Sequence, residues 1–169
     1  MNALTAAQLR ADFDRSFAAA LADVAPSRED FLSIRVGEDR HALRLTEVAQ
    51  LMPLTAMTPL PGPLPVLLGI IGLRGAIVPV YDLRRLLGHA ASQSPHWLLV
   101  AAGEPAVALA FDLFDGHLRL SHATQLGDAG HDTARRHVRE LLNTADGVCP
   151  VVSLASLRES IKTMVQRSV

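Results

Sequence analysis

The stretch Gly69-Ile70-Ile71-Gly72-Leu73-Arg74-Gly75-Ala76-Ile77-Val78-Pro79-Val80-Tyr81-Asp82-Leu83-Arg84 decides how this chain folds. Two apolar runs, residues 67–73 and 76–80, flank Arg74-Gly75, a break in which the glycine tolerates the positive φ of a tight hairpin. Both runs read as buried, central strands. Asp82 then caps a short helix, and Gly88 follows its end. An arginine at the tip of an apolar hairpin cannot serve the core. Either it is a solubilising turn charge or it is held out on a rigid turn to meet a partner, as arginines at interface hot spots are. Gly69 and Gly72 lie inside the strand pattern with no helix directly after them, which marks bulges or close backbone packing instead of a dinucleotide-binding loop.

Upstream, Leu32, Ile34 and Val36 alternate with Ser33 and Arg35, residues 37–40 supply a turn, and Leu43 and Leu45 alternate again. This is a hairpin with one wet face. Residues 52–65 carry Pro53, Pro59, Pro61, Pro63 and Pro65, too many missing amide donors for a helix or a central strand, so they read as an extended crossover. At the start, Leu9, Phe13, Phe17, Leu21 and Val24 recur at intervals of four or three, with Thr5 and Gln8 spaced as a capping box and Pro26 as the stop. That amphipathic helix must lay its apolar side on its own domain or on a partner.

Downstream come strands at 97–101, 106–111 and 117–120, a flexible polar loop over 121–133, strands at 138–142 and 148–152, and a last helix from Ser153 to about residue 166. Two sets of short strands separated by one short helix favour small barrels or sandwiches, because parallel α/β folds need a helix between most strands.

The 169 residues, 49% hydrophobic and 20% charged, suit one compact domain or two small ones sharing a core, and exclude a disordered chain. Sixteen Lys and Arg against seventeen Asp and Glu leave no basic excess for nucleic acid or an anionic membrane. Cys149 alone can form neither an internal disulfide nor a thiolate zinc cage, and it reads as a buried, inert thiol in a reducing compartment. There is no basic leader at residues 1–5, and the longest apolar run, residues 66–73, is far short of the roughly 20 needed to span a bilayer. A cytoplasmic location without membrane insertion is the expectation.

Catalytic signals are sparse. The seven histidines fall into no metal-ligand spacing, and neither a nucleophile elbow nor a phosphate loop occurs. His122 and His131, with Asp128 or Asp132, would have to converge in a pocket to make a small hydrolase or transferase; in a polar loop they read as solvated. Arg135, Arg136 and Arg139 form a basic cluster without stacking aromatics, read as a solvated face paired with Asp132 and Glu140.

The opening stretch closely resembles the hallmark of the CheW family of chemotaxis coupling proteins, approximately G-V-I-N-L-R-G-x-I-V-P-V-x-D-L-R. Gly69, Ile71, Leu73, Arg74, Gly75, Ile77, Val78, Pro79, Val80, Asp82, Leu83 and Arg84 match it in order without gaps. Residues 31–37, Val48, residues 58–65, residues 107–112 with Phe111 in place of a valine, and residues 146–157 extend the resemblance from about residue 31 to 161.

The resemblance implies a mainly β fold of two packed five-stranded SH3-like barrels, linked near residues 82–95. It makes residues 29–169 the CheW-like domain, with residues 1–28 an N-terminal helical extension and a short helix closing the chain. It further implies a non-enzymatic adaptor without cofactors, recruited to membrane receptor arrays. Such an adaptor joins the cytoplasmic tip of methyl-accepting chemoreceptors to the regulatory domain of a CheA-type histidine kinase. Arg74, Gly75, Leu73 and Val48 are the expected partner-binding residues. The family usually has Asn where Gly72 stands, commonly Glu at Gln50 and often a basic residue at Leu68, so the surface is retuned, with a pilus-type or other non-flagellar pathway as the alternative setting.

Overall fold

A computed structural model describes residues 28–90, 95–121, 125–128 and 136–167. The expected N-terminal helix lies outside the described residues, as do His122, His131, Asp132 and Arg135.

The first hairpin forms from β1 (Arg28–Val36) and β2 (Asp39–Arg44), in a register that runs from Phe31 opposite Arg44 to Val36 opposite Asp39; its expected wet face is instead covered, since Phe31, Ser33 and Ala42 are buried along with Leu32, Ile34 and Leu43. A 3-10 turn, Leu45–Glu47, carries the chain into a second sheet. That sheet is built from β3 (Val48–Pro53), β4 (Thr58–Pro59), β5 (Leu67–Leu73), β6 (Ala76–Asp82), β7 (Trp97–Ala101) and β8 (Val107–Phe111), with the short helix α1 (Leu83–Leu86) following β6. The chain then returns to the first sheet through β9 (Leu113–Ser121), β10 (Gln125–Asp128), β11 (Val138–Thr144) and β12 (Gly147–Val152), and ends in α2 (Leu154–Arg167).

Strand order is β10-β11-β12-β2-β1-β9 in the first sheet and β3-β7-β8-β6-β5-β4 in the second. Each sheet therefore has six strands where five were expected, the additions being the two-residue β4 and the four-residue β10. β10 falls inside the stretch read as a loop, and β9 runs unbroken through Asp115 and Gly116, which make a bulge where a break was expected. α1 joins strands of one sheet, and the crossings between sheets are at Leu45–Glu47 and Asp112.

The prolines sit where a missing N–H is harmless. Pro53 and Pro59 are on the two edge strands of the second sheet, and Pro79 precedes the point, Val80, at which β6 begins its parallel ladder with β8.

Apolar residues fill three regions. Leu32, Ile34 and Leu43 from the first sheet meet Tyr81, Leu99 and Phe111 from the second, with Leu154, Leu157 and Ile161 of α2 wedged into the same cluster. Ile71, Val78, Val80, Leu98 and Val100 fill the other face of the second sheet, and Phe31, Leu142, Cys149 and Val151 the other face of the first. Each sheet thus buries both faces, which absorbs a chain that is half apolar and explains why β8 is buried at every position.

Candidate partner-binding surface

At the β5–β6 tip, Leu73 pairs with Ala76 and leaves Arg74 and Gly75 as a two-residue loop. Arg74 has φ +50° and Gly75 φ +82°. Two positive φ values in a two-residue loop match the right-handed twist of the flanking strands. The positive φ was expected at Gly75 alone; among the described residues Arg74 is the one non-glycine that adopts it. A left-handed conformation costs an L-residue about 1–2 kcal/mol, so nothing in the hairpin itself favours arginine there.

The tip is open. A Cβ on Gly72 or Gly75 would meet no atom within 4 Å. Whereas Arg35, Arg40, Arg44 and Arg119 each face a carboxylate, Arg74 is exposed and pairs with none among the described residues. Beside it, Ile77 is 74% exposed. It stands opposite Gly72, and Pro79 opposite Ile70, so an apolar strip runs down the outward side of the hairpin. The expectation of two fully buried strands therefore fails at this end: β4 ladders with only Gly69 and Ile70, and β8 with β6 only from Val80 onward. The signal was present in the alternation, since Val78 and Val80 point inward and Ile77 must then point out.

The four expected contact residues fall into two groups. Leu73, Arg74 and Gly75 share the tip, with Leu73 leaning on the core of the second sheet's own face. Val48 opens β3 on the opposite edge of that sheet, half-buried against the cluster shared by both sheets. The structure does not bring Val48 and Arg74 into one site. Beside Val48, Glu47 accepts a hydrogen bond from the Leu154 amide at 2.8 Å, and Arg158 donates to the Ala102 carbonyl at 2.6 Å and to that of Glu104. These bonds tie the start of α2 to the 3-10 turn and to the β7–β8 turn, a role for Glu47 that local pattern did not reveal.

The second half of the stretch works inward. Asp82 is buried and its carboxylate accepts from the amides of Arg84 at 2.9 Å and Arg85 at 3.3 Å, the cap expected of it. The Arg84 guanidinium lies 3.6 Å from Asp112, whose carboxylate also accepts from the Gly37 amide. A single motif thus presents a surface with residues 70–77 and locks the sheets together with residues 82–84.

Elsewhere the polar groups are structural. Arg44 bridges Glu29 at 2.6 Å and Glu140, with its guanidinium over the Phe31 ring. Glu140 is therefore spent on Arg44, and the basic cluster expected to use it keeps Arg136 and Arg139 exposed. Burial pushes the Cys149 thiol up to about 11, the inert thiol expected. Among the described residues no three of His, Cys, Asp and Glu gather as a metal site. No helix among them is long and apolar enough to cross a membrane.

Comparison with known proteins agrees with this geometry. Protein FrzA of Myxococcus xanthus is 28% identical over 154 residues, spanning 89% of this chain and 96% of the relative. Chemotaxis protein CheW of Rhizobium meliloti is 31% identical over 74 residues, 43% of this chain and 48% of that protein. The fold superposes on the scaffolding protein TtCheW of Thermoanaerobacter tengcongensis with a TM-score of 0.67 at 20% identity, covering 78% of this chain and 92% of the other. The CheW-like domain matches residues 30–162. With the hallmark hairpin, the two-sheet fold and a domain match across most of its length, the chain belongs to the CheW-like family of coupling scaffolds.

Proposed function

We propose that this protein is a non-enzymatic adaptor of a bacterial chemosensory pathway. It couples the cytoplasmic tip of chemoreceptors to the regulatory domain of a CheA-type histidine kinase, and it works in the cytoplasm at receptor arrays. The observation that carries this reading is the hairpin tip: an exposed arginine, without a carboxylate partner among the described residues, held in a conformation unfavourable to it, next to an isoleucine 74% exposed. Strain kept at an exposed turn is explained by what the turn contacts. Arg74 and Gly75, with Leu73 behind them and Ile77 beside them, form the receptor-facing contact. Val48, on the far edge, belongs to a separate contact, so one molecule can hold two partners at once. Coupling then needs no bond chemistry: two partners held in one geometry bias the kinase's conformational equilibrium through their joint binding energy. The SH3-like barrel form of each half belongs to the same reading.

The test is affinity capture from the host lysate with the full chain as bait, scored by mass spectrometry. Enrichment of a CheA-type kinase together with chemoreceptors supports the adaptor; capture of neither refutes it.

A further inference from the structure

A cleft of about 870 Å³ opens at the end of the shared core, where β2, β11 and β12 meet the ends of both helices. It lies away from the hairpin tip, and the function proposed above makes no use of it. Its apolar walls come from Leu86, Leu87, Leu141, Val148, Pro150 and Met164, and Val148 stands 59% exposed. Its polar lining among the described residues includes the exposed Arg136, Arg85 at 3.7 Å from Asp82, His89 at 3.7 Å from Asp39, and the imidazoles of His41 and His137. The site therefore suits an occupant with an apolar face and acidic flanks.

We infer that the occupant is the protein's own N-terminal segment, residues 1–27. Its apolar stripe, Leu9, Phe13, Phe17 and Leu21, matches the walls. At 3.6 residues per turn, Asp12 and Asp23 flank one side of that stripe and Asp14 the other, with Arg10 on the stripe itself, so the carboxylates on the flanks can reach toward the exposed Arg136. The length also fits. His41 lies opposite Ile34 in the β1–β2 ladder. Six strand steps lead from Arg28 to Ile34, so the cleft begins about 20 Å from the point where the segment joins the sheet. A helix over residues 5–24 is about 30 Å long, and the link through Pro26 adds about 10 Å. The segment covers the distance and can lay its stripe along the cleft. Docked there, it closes the open end of the core and masks Val148.

The experiment uses the full chain with the photocrosslinker p-benzoylphenylalanine at Phe17, irradiated at low concentration. Adducts within one chain to residues 138–150 or Met164 are the expected result. Adducts joining two chains, adducts elsewhere on the chain, or none at all would overturn the inference, the first by making a second copy the occupant. In a parallel arm, hydrogen exchange compares the full chain with its F13D/F17D variant. Protection across residues 138–142 and 148–152 should fall by about tenfold while residues 97–111 stay unchanged. Equal protection in the two chains contradicts the docking. Should the variant fail to fold, the crosslinking arm still decides.

Discussion

The Arg84 guanidinium packs so closely under Gly37 that a Cβ on that glycine would sit 2.9 Å from Arg84 Nη1. Gly37 also has φ +67°. The turn of the first sheet and the first turn of α1 therefore touch through a side chain whose end can shift, so an alanine at residue 37 meets chiefly the conformational penalty of its positive φ. Gly37→Ala should lower the unfolding free energy by about 1–2 kcal/mol in a urea titration. Wild-type stability in that variant would contradict that penalty.

Gly69 and Gly72 make a matched pair in one strand. A Cβ on Gly69 would lie 2.2 Å from the Thr58 carbonyl oxygen, which is backbone of β4, whereas one on Gly72 meets nothing within 4 Å. Gly69→Ala should destabilise by about 1–3 kcal/mol, as overpacking does. Gly72→Ala should be neutral or gain about 0.5–1 kcal/mol, since a strand glycine loses more backbone entropy on folding than alanine. Thermal unfolding of both variants distinguishes the positions, and equal melting temperatures would contradict the assignment.

Arg74 holds a left-handed conformation that glycine adopts freely. Arg74→Gly should raise stability by about 1 kcal/mol while removing the side chain offered to a partner. A gain in melting temperature coupled to a loss of binding identifies a residue kept for its contact. A loss of stability would instead assign Arg74 a structural role.

Burial holds both His41 and His137 below the usual imidazole range, with Arg136 adding to the effect at His137. The folded state favours their neutral forms, so the unfolded chain binds more protons once the pH falls below the unpaired value of 6.5. Their contribution is complete above pH 6.5 and declines as the pH drops toward and through the lowered folded values. Melting temperature should fall between pH 7.5 and pH 5, and the slope should flatten in a His41→Gln/His137→Gln variant. A melting temperature independent of pH over that interval would contradict the burial of neutral imidazoles.

Much of the fold was legible wherever the side-chain period was local. The alternation over β1, the break at Arg74-Gly75, the Asp82 cap and the Ser153 cap of α2 are one-dimensional signals, and the Ser156 amide does donate to Ser153 Oγ. The pairings of β12 with β2 and of β6 with β8 join strands distant in sequence, and no local period encodes them. β10, with the composition Gln-Leu-Gly-Asp, exists because β11 offers it a ladder. The burial forecast failed at Ile77 because an apolar run looks the same whether or not neighbouring strands extend far enough to cover it. Val48 and Arg74 were grouped by resemblance, while the strand order sets them on different strands and faces.

A β5–β6 tip that serves as a partner contact independent of the fold should lose binding, and nothing else, when its charge is reversed. Isothermal titration of the full chain and its Arg74→Glu variant against a chemoreceptor cytoplasmic fragment, and in parallel against the regulatory domain of the kinase, tests this role most directly. Reversing an arginine at a contact should weaken receptor binding by about tenfold or more, with unchanged far-UV circular dichroism and kinase affinity retained. Receptor affinity equal to wild type in a folded Arg74→Glu variant would contradict it.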